Sequence, residues 1–353
     1  MGRSIHPPMT GGYLDRDGPT RLSPSALDAA WSDPAARLLR VRDGRMPLRA
    51  WSDREARLDL VPVFGARGTE HVYLGRAAGA PVFAIAIESD AANGGAADGD
   101  AADGDDGSEA TENAEAPGRD RLPEPPGGWR PPLEFGGLLE PLEAELVAAA
   151  CAILAWHGTA GFSARDGAPT SPTSGGWSRT DPHGGEHFPR MDPVVIVRVE
   201  HEERLLLGSN ALWESGRFSL LAGFIDAGES AEEAVAREIF EESGLRVEAA
   251  RYIASQPWPF PRSFMLGFSA RLAEGVDPEK LVPDTTELSE LRWFTRDELR
   301  DPPPGIRLPA PVSIARWLID RWVAEDDASG EAAGTLDTGQ AAAPGAAERA
   351  RDD

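Results

Sequence analysis

The stretch Arg237–Gly244 reads REIFEESG, and on a helix its Glu238, Glu241 and Glu242 fall three and four residues apart, on one face. Two carboxylates about 4 Å apart repel by roughly 4 kcal/mol at an effective dielectric near 20. Arg237 can pair with Glu241 across one turn, but one cation does not neutralise three carboxylates. Such a cluster is either a solvated acidic face or an oxygen ligand set. In the second case it suits Mg2+ or Mn2+, hard cations that keep waters and bridge substrate phosphates. The flanks specify the helix. Ser230 and Glu233 form a capping box, Gly244 supplies the stop, and Ala231, Val235 and Ile239 mark the face to be buried, so a helix is expected over Ser230–Ser243.

The surroundings decide between the readings. From Gly223 the chain reads GFIDAGESAEEAVAREIFEESGL, which satisfies G-x5-E-x7-R-E-U-x-E-E-x-G-U at Gly223, Glu229, Arg237, Glu238, Ile239, Glu241, Glu242, Gly244 and Leu245. This resembles the Nudix box of the Nudix hydrolases. The resemblance implies hydrolysis of a nucleoside diphosphate linked to another moiety, with Mg2+ or Mn2+ as cofactor. It makes Glu238 and Glu242 first-choice ligands, Glu241 a ligand or the base that activates water, and the Ala222 carbonyl a backbone ligand. Arg237 would orient the carboxylates through its planar fork.

Downstream, SQPWPFPRS (Ser255–Ser263) alternates Pro257, Pro259 and Pro261 with Trp258 and Phe260. Proline removes backbone donors, so the stretch is excluded from an inner strand and reads as a stiff aromatic lip against which a flat base could stack. After a Nudix box the motif resembles the NADH pyrophosphatase subfamily, also called NAD-capped RNA hydrolases. That resemblance covers Phe188 to Val323 strongly and the N-terminal region weakly. It implies a further metal-binding glutamate at Glu287 and substrate contact near Ala315. Phe188 and Phe224 would stack on the substrate, Gln256, Trp258, Ser263 and Met265 would shape its pocket, and Pro257, Pro259, Phe260, Pro261 and Arg262 complete the motif. It also implies a homodimer. Many members carry a zinc ribbon of two C-x-x-C pairs. Here Ser163 and Asp166, then Thr180 and His183, stand at those positions, and the only cysteine is Cys151. Hydroxyls are poor zinc ligands, so no structural zinc is expected. The ribbon would be held by packing, with Trp177 as a filler and His157 and His187 structural.

These residues need elements to hold them. Leu58–Phe64, His71–Leu74 and Pro81–Ile87 read as strands of a β-rich N-terminal domain over residues 1–88. An acidic and Pro-rich disordered linker is expected over 89–135. A helix over Leu138–Trp156, with Cys151 in its packed face, and the degenerate ribbon would occupy 136–190. The Nudix domain would fill 191–324, with strands at Pro193–Glu200, Arg204–Leu207, Phe218–Ile225, Ala249–Ser255, Phe264–Leu272 and Leu291–Thr295 and a closing helix at Val312–Val323. A disordered acidic tail is expected over 325–353. Strands and helices mix without βαβ alternation, so the fold class is α+β: a mixed sheet sandwiched by helices in the Nudix manner.

The net charge of −24 is concentrated: Ser89–Gly118 holds nine acidic residues and no basic one, and Glu325–Asp353 eight acidic against two arginines. These stretches have almost no large apolar residues to bury. The acidity argues against general attraction to nucleic acid. With one cysteine, no apolar leader and no run of about 20 apolar residues, the chain reads as cytoplasmic and free of membrane. The expected reaction is hydrolysis of NADH or NAD+ to AMP and nicotinamide mononucleotide. The alternatives are removal of the NAD cap from RNA 5′ ends, hydrolysis of ADP-ribose or dinucleoside polyphosphates, and a non-catalytic nucleotide-sensing module.

Overall fold

The computed structural model describes residues 5–88 and 123–334, excluding the side chains of 326–334. Of the disordered linker expected over 89–135, residues 123–135 are described and are corrected: Trp129–Arg130 forms a strand and Pro132–Phe135 a helix. The rest of that linker, and 335–353 of the tail expected over 325–353, lie outside the described residues. The N-terminal unit contains a four-stranded sheet ordered Val61–Pro62, Arg37–Arg42, Ala80–Ile87, Val72–Ala77, in which Arg37–Arg42 and Ala80–Ile87 run parallel. A smaller sheet joins Ala56–Leu58, Met46–Trp51 and Trp129–Arg130. The strands Arg37–Arg42 and Met46–Trp51 were not among those expected. Asp43 and Gly44 turn the chain between them with φ of 51° and 72°, the left-handed values that a D-G dipeptide tolerates.

The helix falls at Pro141–Thr159, with Pro141 in its first turn, where the missing N–H costs no bond. Leu146, Val147, Ala150 and Ile153 enter one core with Leu39, Val41, Leu48, Val72 and Leu74. Each large aliphatic buried there contributes about 1.5–3 kcal/mol. The helix therefore packs on the N-terminal sheets, and grouping it with the ribbon over 136–190 is corrected. Cys151 lies in this core, 8% exposed, and burial pushes its thiol pKa up to about 12.

The ribbon segment forms a small sheet of Ser171–Thr173, Ser178–Thr180 and Glu186–His187. Hydrogen bonds hold it where packing was expected. The Asp181 carboxylate accepts the N–H groups of His183 and Gly185, both at 2.9 Å, and meets His187 Nε2 at 3.1 Å. The Gly185 N–H, followed by His187, holds the Asp181 carboxyl below the usual carboxylate range. Arg179 donates to Thr170 and sits 2.8 Å from His157 Nδ1, while His157 Nε2 meets the Gly176 carbonyl at 2.7 Å. Trp177 does not fill the ribbon. Its indole donates to the Tyr73 carbonyl at 2.7 Å and packs against the N-terminal core under the Arg21 guanidinium, 3.7 Å from the ring centroid.

The C-terminal unit is built on a mixed sheet ordered Val247–Trp258, Ser263–Leu272, Asp192–His201, Arg204–Asn210, Leu288–Thr295, with Leu221–Phe224 also paired to Asp192–His201. Strand alternation sorts the faces. Val195, Val197 and Val199 pack toward Ala234, Val235 and Ile239 of the helix Ala231–Ser243. Ile196, Leu205 and Leu207 pack toward Ile314, Leu318, Ile319 and Trp322 of the closing helix. That helix spans Ile314–Gly334 and so continues into residues assigned to the tail. The proline-rich strand occupies the sheet edge, where missing donors face no neighbour. Among the described residues no helix is long and apolar enough to cross a membrane.

Candidate active site

The helix Ala231–Ser243 starts where the caps put it. Ser230 Oγ accepts the Glu233 N–H at 3.2 Å, the Glu233 side chain accepts the Ser230 N–H at 2.9 Å, and Gly244 closes the helix at φ 72°. Val235 and Ile239 are fully buried, which fixes the rotation of the helix and presents the other face to the loop before it. There Arg237 is the hub. Its Nε and Nη2 each donate to Glu229 at 2.7 Å, Nη2 also to the Phe224 carbonyl at 2.9 Å, and Nη1 to Glu238 at 2.8 Å and Glu241 at 2.9 Å. Glu229 in turn accepts the Asp226 N–H at 3.0 Å. The Arg237 fork, followed by that N–H, pulls the Glu229 carboxyl down to about 2, and the Glu229 pairing raises the pKa of Arg237. Glu229 thereby becomes the buttress that locks the arginine, with a bidentate geometry that lysine cannot copy.

The carboxylates diverge in environment. Glu241 is exposed. Glu242 is 6% exposed, its Oε2 is buried with no hydrogen-bond partner, and its one recorded donor is the Ala222 N–H. Burial, then the charges of Glu238 and Glu287, push the Glu242 carboxyl up to about 8. Burial also raises Glu238, against the pull of Arg237. Glu287 thus lies within the field of both. Gly223 has a direct steric reason: any Cβ there would collide with the Glu238 carboxyl, which rests against the strand.

Among the described residues no group of three acidic, histidine or cysteine side chains forms a ready ion cage. Glu238 is turned toward Arg237 instead. The donor set nevertheless fits a hard divalent cation. It is all oxygen, mutually repelling, and includes a buried carboxylate oxygen that no protein donor satisfies.

Glu242 opens onto a cavity of about 580 Å3 between the strand Leu221–Phe224, the proline-rich strand and the start of the closing helix. Of the expected residues, Ala222, Glu242, Gln256, Trp258, Met265 and Ala315 line it. Others stand elsewhere. Phe188 and Phe224 are exposed and outside this lining. Arg262 is bound to Asp192 at 2.6 Å, and Ser263 begins its strand beside it. Pro257 sits in register with Phe264, and Pro261 follows Phe260 through a cis bond. The aromatic lip is also divided. Trp258 faces the cavity, whereas Phe260, perpendicular to it at 5.2 Å between centroids, turns with Pro259 to a second cavity against Cys151 and Leu154 of the N-terminal unit. Phe260 is therefore a domain-junction residue, because the N-terminal core offers it apolar burial. The Ala315 N–H is taken by Ser313 Oγ at 3.1 Å.

Sequence reasoning missed the opposite wall. Asn210, Trp213 and Arg217 line the cavity, with the Arg217 guanidinium 4.6 Å from the Trp213 ring centroid. Their loop is pinned from both sides: Arg307 N–H donates to the Gly216 carbonyl at 2.7 Å and Phe218 N–H to the Arg307 carbonyl at 2.9 Å. A Trp and an Arg four apart in a loop carry no periodic signal; only the tertiary closure reveals them.

The pH consequence follows from Glu242. Its pKa is raised on folding, so the ionised site costs stability above pH about 4.5, increasingly up to pH about 8. The full shift corresponds to roughly 5 kcal/mol. In metal-free buffer Glu242→Gln is expected to raise the melting temperature by several degrees near pH ~8.5, with the gain fading toward pH ~5. Equal melting of both proteins at the higher pH would contradict the burial of an unpaired charge.

Residues 189–318 match the family model of the NUDIX domain, and residues 34–156 match that of the NADH pyrophosphatase-like rudimentary NUDIX domain. The second match takes in nearly all of the helix Pro141–Thr159. The chain is 46% identical over 202 residues to the NAD-capped RNA hydrolase NudC of Mycobacterium bovis (strain BCG / Pasteur 1173P2), covering 54% of this chain and 64% of that protein. It is 38% identical over 209 residues to the NAD-capped RNA hydrolase NUDT12 of Homo sapiens, covering 55% and 44%. The matches thus span less than two thirds of these relatives. A NUDIX hydrolase from Nitrosomonas europaea aligns with TM-score 0.38 and 22% identity, covering 47% of this chain and 92% of that one. The chain thus carries a NUDIX domain over residues 189–318 and, before it, an NADH pyrophosphatase-like rudimentary NUDIX domain over residues 34–156.

Proposed function

We propose that this chain hydrolyses the diphosphate bond of NADH or NAD+, yielding AMP and nicotinamide mononucleotide, with Mg2+ or Mn2+ as cofactor. The observation that carries the reading is Glu242, a buried carboxylate with an unsatisfied oxygen at the wall of a cavity that also holds Trp258. Glu238, Glu242 and Glu287, with the Ala222 carbonyl, would hold the cation. Bound there, it would neutralise the diphosphate and lower the pKa of a water.

The chain's own residues supply the rest. Arg237, locked by Glu229, sets the rotamers of Glu238 and Glu241. Trp258 offers its ring to a base, and Arg217 brings a cation to the same cavity as Glu242. Water attacks one phosphorus, the bridging P–O bond breaks, and the second phosphate leaves with its nucleoside. The proton lost by water passes to a carboxylate of the cluster, Glu241 or Glu242. The same chemistry on the NAD cap of RNA is the second reading, favoured by the activity named for both relatives. A homodimer is proposed from the resemblance alone, and a cytoplasmic setting from the single cysteine in the sequence.

We further propose that the ribbon holds no zinc, since Asp181, Arg179 and His157 already supply its cross-links. Metal analysis after exhaustive dialysis should find less than about a tenth of a zinc per chain; a stoichiometric zinc would contradict it.

Steady-state assays of NADH, NAD+, ADP-ribose and NAD-capped RNA with each cation test the main reading. Glu238→Gln and Glu242→Gln are each expected to lower kcat by about 100-fold or more with folding retained. Trp258→Ala is expected to raise KM by roughly tenfold, about the worth of one base stack. Near-normal turnover in both glutamate variants would remove the cluster from the reaction.

A further inference from the structure

The residues before the first helix run between the two units. Gln256 has no exposed surface and all of its hydrogen bonds go to backbone. Its Nε2 donates to the Val312 carbonyl at 2.8 Å and to the Pro8 carbonyl at 2.9 Å, and its Oε1 accepts the Ile314 N–H at 2.7 Å. One side chain thus joins the proline-rich strand to the start of the closing helix, and the Pro8 carbonyl is one of the two acceptors its amide needs. Beside it Met9 is 3% exposed, packed with Ala144, Ala148 and Val312 and against Trp258 and Phe260. Met9 adopts φ 63°, a left-handed conformation that a side-chain-bearing residue holds only when its surroundings over-determine it.

The far end of this segment is anchored as firmly. The buried Glu145 carboxylate accepts the N–H groups of Tyr13 at 3.1 Å and Leu14 at 2.8 Å. Asp15 then exchanges both backbone hydrogen bonds with Arg76, at 3.2 and 2.8 Å. Gly75 permits that approach, since a Cβ there would strike the Asp15 carbonyl. The segment is therefore tied to the N-terminal unit while its middle presses on the back of the cavity wall.

We propose that residues 7–14 form a positioning strap through which the N-terminal unit sets the substrate-facing wall of the cavity, with Pro8 holding Gln256 and Met9 backing Trp258. This rests on the reading of that cavity as the dinucleotide site. Met9 acts through Trp258 and Val312, so it is a positioning residue, remote from the carboxylate cluster.

The full chain tests this with two measurements: NADH hydrolysis with Mn2+, and NADH binding by calorimetry in metal-free buffer. Met9→Ala is expected to raise both KM and Kd for NADH about tenfold while kcat stays within about twofold. Met9→Leu, which keeps the volume, should restore both. Glu145→Ala, which removes both acceptors at the strap's other end, should shift them in the same direction. A lowered melting temperature with KM and Kd unchanged in Met9→Ala would make the strap merely structural and overturn the proposal. If the parent binds NADH without hydrolysing it, the proposed reaction fails while the Kd comparison still decides the strap. If the parent neither binds nor hydrolyses NADH, both readings fall.

Discussion

A carboxylate held out of water with one oxygen that no donor meets is the constraint from which the rest of this site follows. Glu242 sits beside Glu238 and in the field of Glu287, and burial is the largest cause of its raised pKa. A chain keeps such a group only where another interaction, present in the working state, offsets the penalty. The single nearby cation of the box, Arg237, is already committed. Its bonds go to Glu229, Glu238, Glu241 and a carbonyl, and none to Glu242. The arginine orders the cluster without discharging it, and this leaves a charge to be met by something from outside.

The scaffold serves that geometry. One face of the central sheet receives the carboxylate helix and the other the closing helix. The cavity opens between their ends and the strand Leu221–Phe224. Gln256 then ties the proline-rich edge strand to the start of the closing helix as one wall. The N-terminal unit contributes through packing: Phe260 and Met9 fill the junction between its long helix and the motif that carries Trp258. The division of Trp258 from Phe260 is informative, because two aromatics two residues apart in an extended segment need not share a task. Both pack at the joint with Met9, but Trp258 lines the main cavity and Phe260 the second one beside Cys151.

The carboxylate helix was legible to the residue, since capping box, glycine stop and apolar spacing are local and mutually consistent. The strands of the Nudix sheet were legible from alternation, with ends off by a few residues. What could not be read was set by contacts between distant segments. The Ala-rich helix Pro141–Thr159 carries no mark of which sheet it will cover. The ribbon's lost cysteines were visible, but the replacement cross-links through Asp181, His187, His157 and Arg179 exist only once the chain is folded. Gln256, expected at the pocket, lines the cavity, but its second task as a joint bonded to three backbone groups was not legible, and Arg217 and Trp213 gave no pattern at all. The turn at Asp43–Gly44 is different: its D-G signal is local and stands in the sequence itself.

The central claim is that a divalent cation is what Glu242 lacks. With its carboxyl pushed up to about 8, Glu242 is mostly protonated near neutral pH in the metal-free protein, and binding through it must expel that proton. Calorimetric titration with Mn2+ near pH ~7, in buffers of differing ionisation enthalpy, counts the protons released. The account predicts about one proton per cation bound in the parent and close to none in Glu242→Gln. Tight binding without proton release in the parent would contradict it.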